Sequence, residues 1–564
     1  MWRLPLSIPS HTRYRQRPRL GGTCKPAVHI WDEKGEHMKG FTRAVGRRRV
    51  RGLVFVAVVL ATLVSANAAS ARVPSQSFCD ARNNNTYKKL LECVRVGEVR
   101  EHQAAFQAIA DANGGNRFSG MPGYDASVDY VVDKLEAAGY DVEVQDFDYL
   151  AFEVAGPSTL QQTAPGMVTY VEGVDFGAIT QTDPGDVTAA VTPVDLQLGL
   201  GNTSTSGCEA SDFAGFPAGN IALLQRGTCT FELKAENAAA AGAVGIVIFN
   251  QGDTADPSRQ GIPAVTLTAN NTSGIPVLGT TYSLGVTLAN TPGLVMRVFA
   301  NTLRQILPTS NVLAEKTGKN DDNVVMAGAH LDSVLAGPGI NDNGSGSGAL
   351  LEVAEQLAKL KPQNTLRFAW WGAEESGLVG STNYVNGLSQ AERDRIALYL
   401  NFDMVGSPNY IFMTQDADQS SFVAPVVVPD GSVAIEDLFE SFYTLEDEPY
   451  DDAEFSGRSD YQAFIVNGIP AGGLFTGAEV PKTAEQQAIW GGTTGAQFDP
   501  CYHAACDTFA NVALHALDVN SDAIGFAVLT YAYSTEPVNG VPGRKVPGKF
   551  EIPAPAGSQG TFVP

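Results

Sequence analysis

Positive charge is scarce in this sequence, which has 38 Lys and Arg residues against 61 Asp and Glu residues among 564. The formal net charge of −23 at pH 7 argues against a nucleic-acid partner, because such a partner is bound through a basic stripe. The negative charge favours solubility and carries no information about the fold. With 44% hydrophobic residues, the chain can build more than one core.

No hydrophobic run is long enough to span a bilayer. The apolar stretch LVFVAVVLATLV covers residues 53–64, whereas a spanning helix needs roughly 20 residues. An arginine-rich segment precedes this stretch, and small residues ending in Ala69-Ser70-Ala71 follow it. This order predicts a secretory signal peptide over residues 38–71 rather than a membrane anchor. Residues 1–37 are then expected to be a wrongly assigned start of the gene.

Cysteine is rare as well, and the count of seven is odd, which is awkward for a secreted chain. Removal of residues 1–71 takes away Cys24 and leaves six cysteines in three local pairs. Disulfides fit an oxidising, extracytoplasmic compartment, so three are expected. The expected pairs are Cys79 with Cys93, Cys208 with Cys229, and Cys501 with Cys506.

Hydrophobic periodicity predicts an α/β domain with a doubly wound, mostly parallel sheet. Its two parts are residues 72–149 and residues 306–534, in which helical and strand patterns alternate. Several strand segments are almost continuously apolar, as is typical of parallel strands buried on both faces. They are residues 324–329, 365–371 and 396–402. The tail, residues 535–564, is rich in Pro and Gly and is predicted to be disordered.

Residues 150–305 interrupt this domain with a segment rich in Thr, Gly, Val and Pro. Residues 221–225 predict a strand, residues 230–241 an alanine-rich helix, residues 245–250 a second strand, and residues 274–290 further strand. With its RGTCTF turn and AGAVGIVIFN strand, the series resembles the protease-associated (PA) domain. A β-rich inserted domain is therefore expected. It contains no His and is assigned no catalytic residue.

Acids and imidazoles follow each strong strand of the α/β domain. In open α/β sheets, ligands bind outside the carboxyl ends of the strands, so these side chains are expected to meet at one edge. They are His330, Asp332 and Asp342 after the first strand, Glu374 and Glu375 after the second, Asp403 after the third, and His503 between Cys501 and Cys506.

A pair of zinc ions would explain this set. Buried carboxylates are costly unless they are paired or bound to metal, and nothing near these loops is basic enough to neutralise four of them. Imidazole with carboxylate suits zinc, and a two-metal site polarises a carbonyl and supplies hydroxide near neutral pH. Taken singly, a strand-end His, a Glu pair and a disulfide-closed turn are ordinary structural features. Their placement at successive strand ends favours the metal site.

Six segments carry a resemblance to a known family: AGAHLDSV, INDNGSGSGALLE, RFAWWGAEESGLVGS, YLNFDMVGSP, GRSDYQAF and DPCYHAACDT. They resemble secreted bacterial zinc aminopeptidases of the leucyl aminopeptidase and aminopeptidase Y type, in the MH clan of metallopeptidases. The likeness spans residues 98–148 and 311–534. It implies two zinc ions per chain, with His330 and Asp403 on one, Glu375 and His503 on the other, and Asp342 as the bridge.

The resemblance also implies roles for residues that do not bind zinc. Glu374 would be the general base of a two-zinc hydroxide mechanism, and Asp332 would orient His330. Tyr502 would donate a hydrogen bond to the oxyanion and contact the substrate. Arg458, in GRSDYQAF, would lie near the bound substrate.

A calcium site is a further expectation. Some relatives bind calcium through an acid near the N-terminus and two acids in the last helix. Asp518 and Asp522 match the latter pair. The N-terminal position aligns with Cys93, which cannot serve, although Glu92 is adjacent.

The resulting expectation is a secreted, monomeric aminopeptidase that removes large apolar residues from the N-termini of peptides. After signal cleavage, no membrane partner is expected. Three alternatives stay open: a carboxypeptidase of the same clan, a non-catalytic binding protein on a peptidase scaffold, and a one-zinc glutaminyl cyclase. The first would need a cationic cluster for a terminal carboxylate, and only Arg458 is available in the motifs.

Overall fold

The computed structural model describes residues 74–562. The predicted signal peptide, residues 38–71, and the predicted artefactual start, residues 1–37, lie outside the described residues. The helices and strands that precede the insertion are α1 Gln76–Ala81, α2 Tyr87–Leu91, α3 Val96–Ala112, α4 Pro122–Ala138 and β1 Asp141–Val154. The helix α4 buries Val128, Val131 and Leu135 on one face. Its C-cap residue is Gly139, which has a φ of 85° and therefore lies in the left-handed region.

The second part of the α/β domain follows the insertion. Its elements are β10 Thr302–Lys316, β11 Asn320–His330, α8 Gly344–Leu357, β12 Asn364–Trp371, α9 Val379–Gly387, α10 Gln390–Arg395, β13 Ile396–Phe402, β14 Met413–Gln415, α11 Gly431–Leu445, β15 Asp451–Ala453, α12 Tyr461–Ile465, β16 Ala471–Phe475, α13 Ala484–Trp490, α14 Leu514–Tyr533 and α15 Glu536–Asn539. The labels β2–β9 and α5–α7 belong to the insertion.

Eight strands form the sheet of the α/β domain, in the order β1-β10-β12-β11-β13-β16-β14-β15. The four central strands, β12, β11, β13 and β16, are parallel, whereas β1, β10 and β14 each pair antiparallel with a neighbour. The sheet is therefore parallel at its centre and mixed at its edges. Three of the central parallel strands, β11, β12 and β13, are those that the apolar runs predict, whereas β16 was not predicted.

Both faces of this sheet are covered, which explains the continuous apolar runs. Successive side chains of a strand point to opposite faces, so one strand supplies two cores. In β12, Phe368 and Trp370 pack into the core that contains α8 and α14, while Ala369 and Trp371 pack against α9 and α12. Helices on both faces make the fold doubly wound.

The insertion builds a second sheet. Its elements are β2 Thr159–Ala164, β3 Val168–Thr169, β4 Phe176–Ala178, β5 Gly185–Pro193, β6 Ile221–Gln225, α5 Phe231–Ala240, β7 Gly245–Phe249, α6 Pro257–Gln260, β8 Val277–Thr280, α7 Tyr282–Ala289 and β9 Val295–Ala300. The strand order is β3-β2-β9-β5-β6-β7-β8-β4, with β5 to β8 parallel. The predicted strand, helix and second strand correspond to β6, α5 and β7.

One part of the insertion differs from the sequence-based prediction. Residues 274–290 predict strand throughout, but the structure has the short strand β8 followed by the helix α7. The helix begins because the Thr281 side chain accepts a hydrogen bond from the Leu284 amide at 3.3 Å, which caps its first turn. Gly285 then lets the helix approach Phe249, where a Cβ atom would lie 2.0 Å from the ring.

The insertion is attached through a long two-stranded ribbon. Strands β1 and β10 pair antiparallel from Asp141 opposite Glu315 to Val154 opposite Thr302. The predicted limits of the insertion, residues 150 and 305, therefore fall inside these two strands. The segment that leaves the α/β sheet is residues 155–301.

The tail is ordered against the α/β domain, contrary to the disorder predicted for residues 535–564. Its described part begins with α15, and Thr561 donates hydrogen bonds from its amide and hydroxyl to Asp451 Oδ2 at 2.8 and 2.6 Å. The Ser558 hydroxyl donates to Asp452 Oδ2 at 2.7 Å. A Pro/Gly-rich composition does not predict these contacts, because they depend on two buried aspartates elsewhere in the chain.

Candidate metal centre

The site lies at the carboxyl edge of the central parallel strands. Strand β11 ends at His330, and Glu374 and Glu375 lie shortly after β12. Asp403 directly follows β13. Since these strands are parallel neighbours, their ends meet, as the sequence predicts. The backbone turns sharply there, and Ala373 and Met404 have φ values of 55° and 54°.

The Asp342 carboxylate lies between the two imidazoles. Its Oδ1 is 3.2 Å from His330 Nε2, and its Oδ2 is 3.3 Å from His503 Nε2. The side chain of Asp342 is only 7% exposed. One carboxylate that offers each oxygen to a different imidazole has the arrangement of a bridging ligand between two metal ions.

The remaining predicted ligands complete two groups around Asp342. Asp403 Oδ1 is 3.3 Å from His330 Nε2, and Glu375 Oε2 is 3.0 Å from His503 Nε2. Glu374 Oε2 is farther from His330 Nε2, at 4.0 Å. Glu374 and Glu375 are adjacent in the chain, yet Glu375 reaches the His503 side of the site and Glu374 reaches the His330 side.

Asp332 lies behind these side chains. Its carboxylate is fully buried and accepts hydrogen bonds from the amides of Glu374 and Glu375 at 3.2 and 3.4 Å. Its Oδ1 is 3.5 Å from His330 Nδ1, so it faces the ring nitrogen opposite the site. Asp332 therefore contacts the imidazole and both glutamates, a wider set of contacts than the sequence predicts.

Three further residues at the site were missed by sequence reasoning, and two of them hold predicted ligands or the loop before Asp342. The Ser459 hydroxyl donates to Asp403 Oδ2 at 2.5 Å, and Asp507 accepts from the amides of Asn341 and Asp342 at 2.8 and 2.9 Å. Asp460 is fully buried, and neither of its carboxylate oxygens has a hydrogen-bond partner. The sequence could have pointed to these residues, because each lies next to a predicted site motif. Ser459 and Asp460 follow Arg458 in GRSDYQAF, and Asp507 follows Cys506.

Burial and the contacts among these groups shift their pKa values. Burial, with the charge of Asp342, raises the pKa of Glu375 to about 8, and burial raises the pKa of Asp460 to about 7. For His503, burial opposes protonation, but hydrogen bonds to Asp342 and Glu375 outweigh it and raise the pKa to about 11. Burial disfavours the charged form of a carboxyl group, whereas a neighbouring carboxylate favours the charged form of an imidazole.

The donor set fits zinc. Atoms of His330, Glu374 and Asp403 lie within 4.8 Å of one another, as do atoms of His330, Asp342 and Glu375. Glu375 Oε1 is buried and has no hydrogen-bond partner, so it is free to bind an ion. Mixed imidazole and carboxylate donors are those of catalytic zinc sites.

Tyr502 and Arg458 form one wall of the site. The Tyr502 ring stacks on His503 with 3.8 Å between centroids, and the Cys501–Cys506 disulfide closes the loop that carries both residues. Arg458 Nη2 donates to the Tyr502 hydroxyl at 3.1 Å, and its Nη1 is 2.7 Å from Glu479 Oε1. Arg458 therefore contacts Tyr502 rather than a metal ligand.

These residues open into a cavity of about 470 Å³. The predicted metal ligands and the predicted base line it: Asp342, Glu374, Glu375, Asp403 and His503. Apolar residues line it as well: Met404, Leu474, Phe475, Ala478, Val480 and Phe562. The cavity thus combines ionisable and apolar lining residues.

The calcium expectation receives no support from the structure. Among residues 74–562, no group of three or more possible ligand atoms within 4.8 Å includes Asp518 or Asp522. Cys93 forms a disulfide with Cys79, and Glu92 pairs with Arg82 at 3.2 Å. Calcium binding therefore stays a prediction.

All three expected disulfides form: Cys79–Cys93, Cys208–Cys229 and Cys501–Cys506.

Within residues 74–562, no helix combines the length and the apolar character that crossing a bilayer requires.

Comparison with known proteins agrees with this architecture. The descriptions "Peptidase family M28" and "PA domain" match residues 311–528 and 187–288, respectively. The chain is 52% identical over 450 residues to "Aminopeptidase" of Pseudomonas aeruginosa, covering 80% of this chain and 83% of that protein. It is 40% identical over 436 residues to "Probable leucine aminopeptidase 2" of Aspergillus fumigatus, covering 75% and 80%.

A solved structure shares the fold. The aminopeptidase from Aneurinibacillus sp. strain AM-1 superposes with a TM-score of 0.56 at 27% identity, covering 83% of this chain and 98% of that one. Sequence likeness, the fold and the clustering of the five predicted ligand side chains agree. The chain belongs to peptidase family M28, as a metallo-aminopeptidase with an inserted PA domain.

Proposed function

We propose that the chain is a secreted aminopeptidase that works with two zinc ions and prefers large apolar N-terminal residues. The observation that carries the two-ion proposal is the Asp342 carboxylate, which offers one oxygen to each imidazole at 3.2 and 3.3 Å. His330 and Asp403 would hold one ion, and Glu375 and His503 the other.

Bound zinc supplies a Lewis acid for the peptide carbonyl and lowers the pKa of water toward neutrality. The chain's own residues then handle the proton. Glu374 is 8% exposed and lines the cavity. Its carboxylate lies farther from His330 Nε2 than the carboxylates of Asp342 and Asp403 do. A carboxylate in this position accepts a proton from the attacking water and passes it to the leaving amine.

Tyr502 would stabilise the oxyanion that forms when water attacks the carbonyl. Its hydroxyl accepts from Arg458, so its own proton remains available for donation into the cavity. We assign Arg458 the role of positioning this hydroxyl, because Glu479 holds the other end of its guanidinium.

The cavity also supports exopeptidase action on apolar residues. The free amine of a peptide would lie against acids that line the cavity, such as Glu374 and Asp403. The first side chain would contact the apolar residues of the lining. A relative named leucine aminopeptidase is consistent with this preference. For a carboxypeptidase, a terminal carboxylate would need a free cation, but Arg458 already pairs with Glu479 at 2.7 Å.

Secretion and a monomeric state complete the proposal. The three disulfides suit an oxidising compartment, and the sequence carries the pattern of a signal peptide. N-terminal sequencing of the exported protein should begin at Arg72. An N-terminus within residues 1–37 would contradict this cleavage.

A matched pair of substrates tests the activity. Leucine 4-nitroanilide should be hydrolysed, whereas N-acetyl-leucine 4-nitroanilide, which lacks the free amine, should not. Among aminoacyl nitroanilides, leucine should exceed glycine by roughly 10- to 100-fold in kcat/KM, the worth of burying one large apolar side chain. Zinc content should be measured on the same sample. Cleavage of N-blocked peptides from their carboxyl end would overturn the proposal.

A further inference from the structure

A second cluster of possible metal ligands lies between α3 and α8. His102 Nε2 is 3.3 Å from Glu355 Oε2 and 3.8 Å from Glu352 Oε2. All three side chains line a separate cavity of about 440 Å³, and no residue that lines it also lines the catalytic cavity. This cluster has no part in the proposed hydrolysis.

Two atoms of the cluster are buried without hydrogen-bond partners. Glu352 is 1% exposed, and its Oε2 makes no hydrogen bond. His102 Nε2 makes none either, although Glu355 Oε2 lies 3.3 Å away. The other ring nitrogen of His102 is held by the Tyr130 hydroxyl at 2.8 Å. The ring is therefore oriented with Nε2 toward the carboxylates, the usual arrangement for a metal-binding imidazole.

The spacing suits a tetrahedral zinc ion. Zinc–ligand bonds of about 2.0–2.2 Å place neighbouring donors about 3.4 Å apart in a tetrahedron. The two distances from His102 Nε2 lie close to this value, and all three donor atoms lie within 4.8 Å of one another. The cavity leaves room for a water molecule as the fourth ligand.

The surrounding charge favours a cation. Lys134 Nζ is 3.5 Å from Glu355 Oε1, so it contacts the oxygen that faces away from His102 and leaves Glu352 without a lysine. Asp80, Glu98 and Glu101 also line the cavity, so its acidic residues outnumber its two lysines, Lys134 and Lys359. A divalent ion would balance the two glutamates and use both unpartnered atoms.

We propose that His102, Glu352 and Glu355 form a third zinc site, whose ion fastens α3 to α8. The helix α8 begins two residues after Asp342, and Gln103 Nε2 donates to the Ile340 carbonyl at 3.0 Å, so α3 already contacts the loop before the bridging ligand. The ion therefore supports the helix that follows the catalytic loop. This site does not depend on the proposed function.

Zinc stoichiometry tests the site. The whole secreted protein, equilibrated with buffered free Zn²⁺, should hold three ions per chain by mass spectrometry. His102→Gln and Glu352→Gln should each hold two. The control is His515→Gln, which removes a His paired with the single carboxylate of Glu448 at 2.8 Å and should still hold three. Tyr130→Phe should weaken the third ion's binding by about 10- to 100-fold while the other two remain.

Anomalous scattering at the zinc edge, from crystals of the unmutated protein, tests the location without any variant. A peak between His102 and Glu352 is expected. Two ions per chain in the unmutated protein, both at the catalytic centre, would make the cluster a buried ion pair and overturn the proposal, while the two-zinc centre would stand. A third ion that persists in His102→Gln would overturn the proposal as well. If Glu436→Gln then lost this third ion, the ion would lie in the acidic cluster of Glu436, Glu440 and Asp452.

Discussion

The α/β domain and the inserted PA domain both contain parallel strands, but their strand ends differ in chemistry. In the PA domain, β6 ends at Gln225, whose Nε2 donates to the carbonyls of Gln197 and Gln251 at 2.9 and 2.8 Å. Asn250, after β7, donates to the carbonyls of Ser258 and Gly261 at 3.0 and 2.8 Å. Neutral amides there satisfy neighbouring backbone groups.

The corresponding edge of the α/β domain carries titratable groups, namely carboxyl groups and imidazoles. Glu375 Oε1 and both oxygens of Asp460 have no hydrogen-bond partner, and burial raises the pKa of both carboxyl groups. Parallel strands alone therefore do not make a site. Function depends on which side chains stand at the strand ends, and the experiments below test this contrast.

The largest effect is expected at the catalytic edge, in Glu374→Gln. The amide keeps the size of the side chain but cannot accept the proton, so kcat should fall by roughly 10²- to 10⁴-fold while both zinc ions remain. The matched variant is Glu375→Gln, which should lose zinc because Glu375 is within 3.0 Å of His503 Nε2. Rate assays and metal analysis on both variants test this assignment. If Glu374→Gln lost zinc and Glu375→Gln kept both ions, the two roles would have to be exchanged.

A smaller effect is expected when support for the ligands is weakened. Asp332→Asn replaces a carboxylate that accepts from two backbone amides, and it should lower zinc affinity or kcat by roughly 10- to 100-fold. The control in the PA domain is Asp183→Asn, since Asp183 Oδ2 accepts from the Gly274 amide at 3.1 Å. Its activity on leucine 4-nitroanilide should be unchanged. Equal losses in both variants would indicate a general effect on stability.

The disulfides sharpen the same contrast. Replacing Cys501 and Cys506 by Ser opens a loop that carries Tyr502 and His503, and the two cysteines have a sequence separation of 5. Activity should fall strongly, whereas the melting temperature should change little. Replacing Cys208 and Cys229 opens a longer loop of separation 21, and the loss of stability should be larger, about 3 kcal/mol, with little change in activity on small substrates. Rates and thermal unfolding of both double variants test this. Free thiols in the untreated protein would contradict the pairings.

The smallest effect on small substrates is expected from removing the PA domain. Residues 155–301 can be replaced by a short turn because Val154 and Thr302 are paired neighbours in β1 and β10. Hydrolysis of leucine 4-nitroanilide and zinc content should both be retained. The control deletion, residues 150–305, also removes paired residues of the ribbon and should be less stable to heat. Loss of zinc from a folded 155–301 deletion would show that the insertion supports the metal centre.

Much of the architecture could be predicted from local patterns. The apolar runs predict three of the central strands because these are buried on both faces, and the predicted ligands His330, Glu375 and Asp403 lie at or just after their ends. The helix α7 could not be predicted in this way, since its Val and Leu residues suit strand and its start depends on the Thr281 cap and on space beside Phe249. The ordered tail was missed because Thr561 is held by Asp451, which is distant in sequence.

By itself, the sequence determined three of the central strands, the cysteine pairs and the donor types at the sheet edge. These depend on local periodicity, on spacing and on which side chains directly follow a strand. Only the tertiary structure decided that Asp342 faces both imidazoles and that Ser459 and Asp507 hold the ligands. It also brought His102 against Glu352, 250 positions away. Such contacts arise from packing between elements, and residues that meet across packed elements leave no local pattern in the chain.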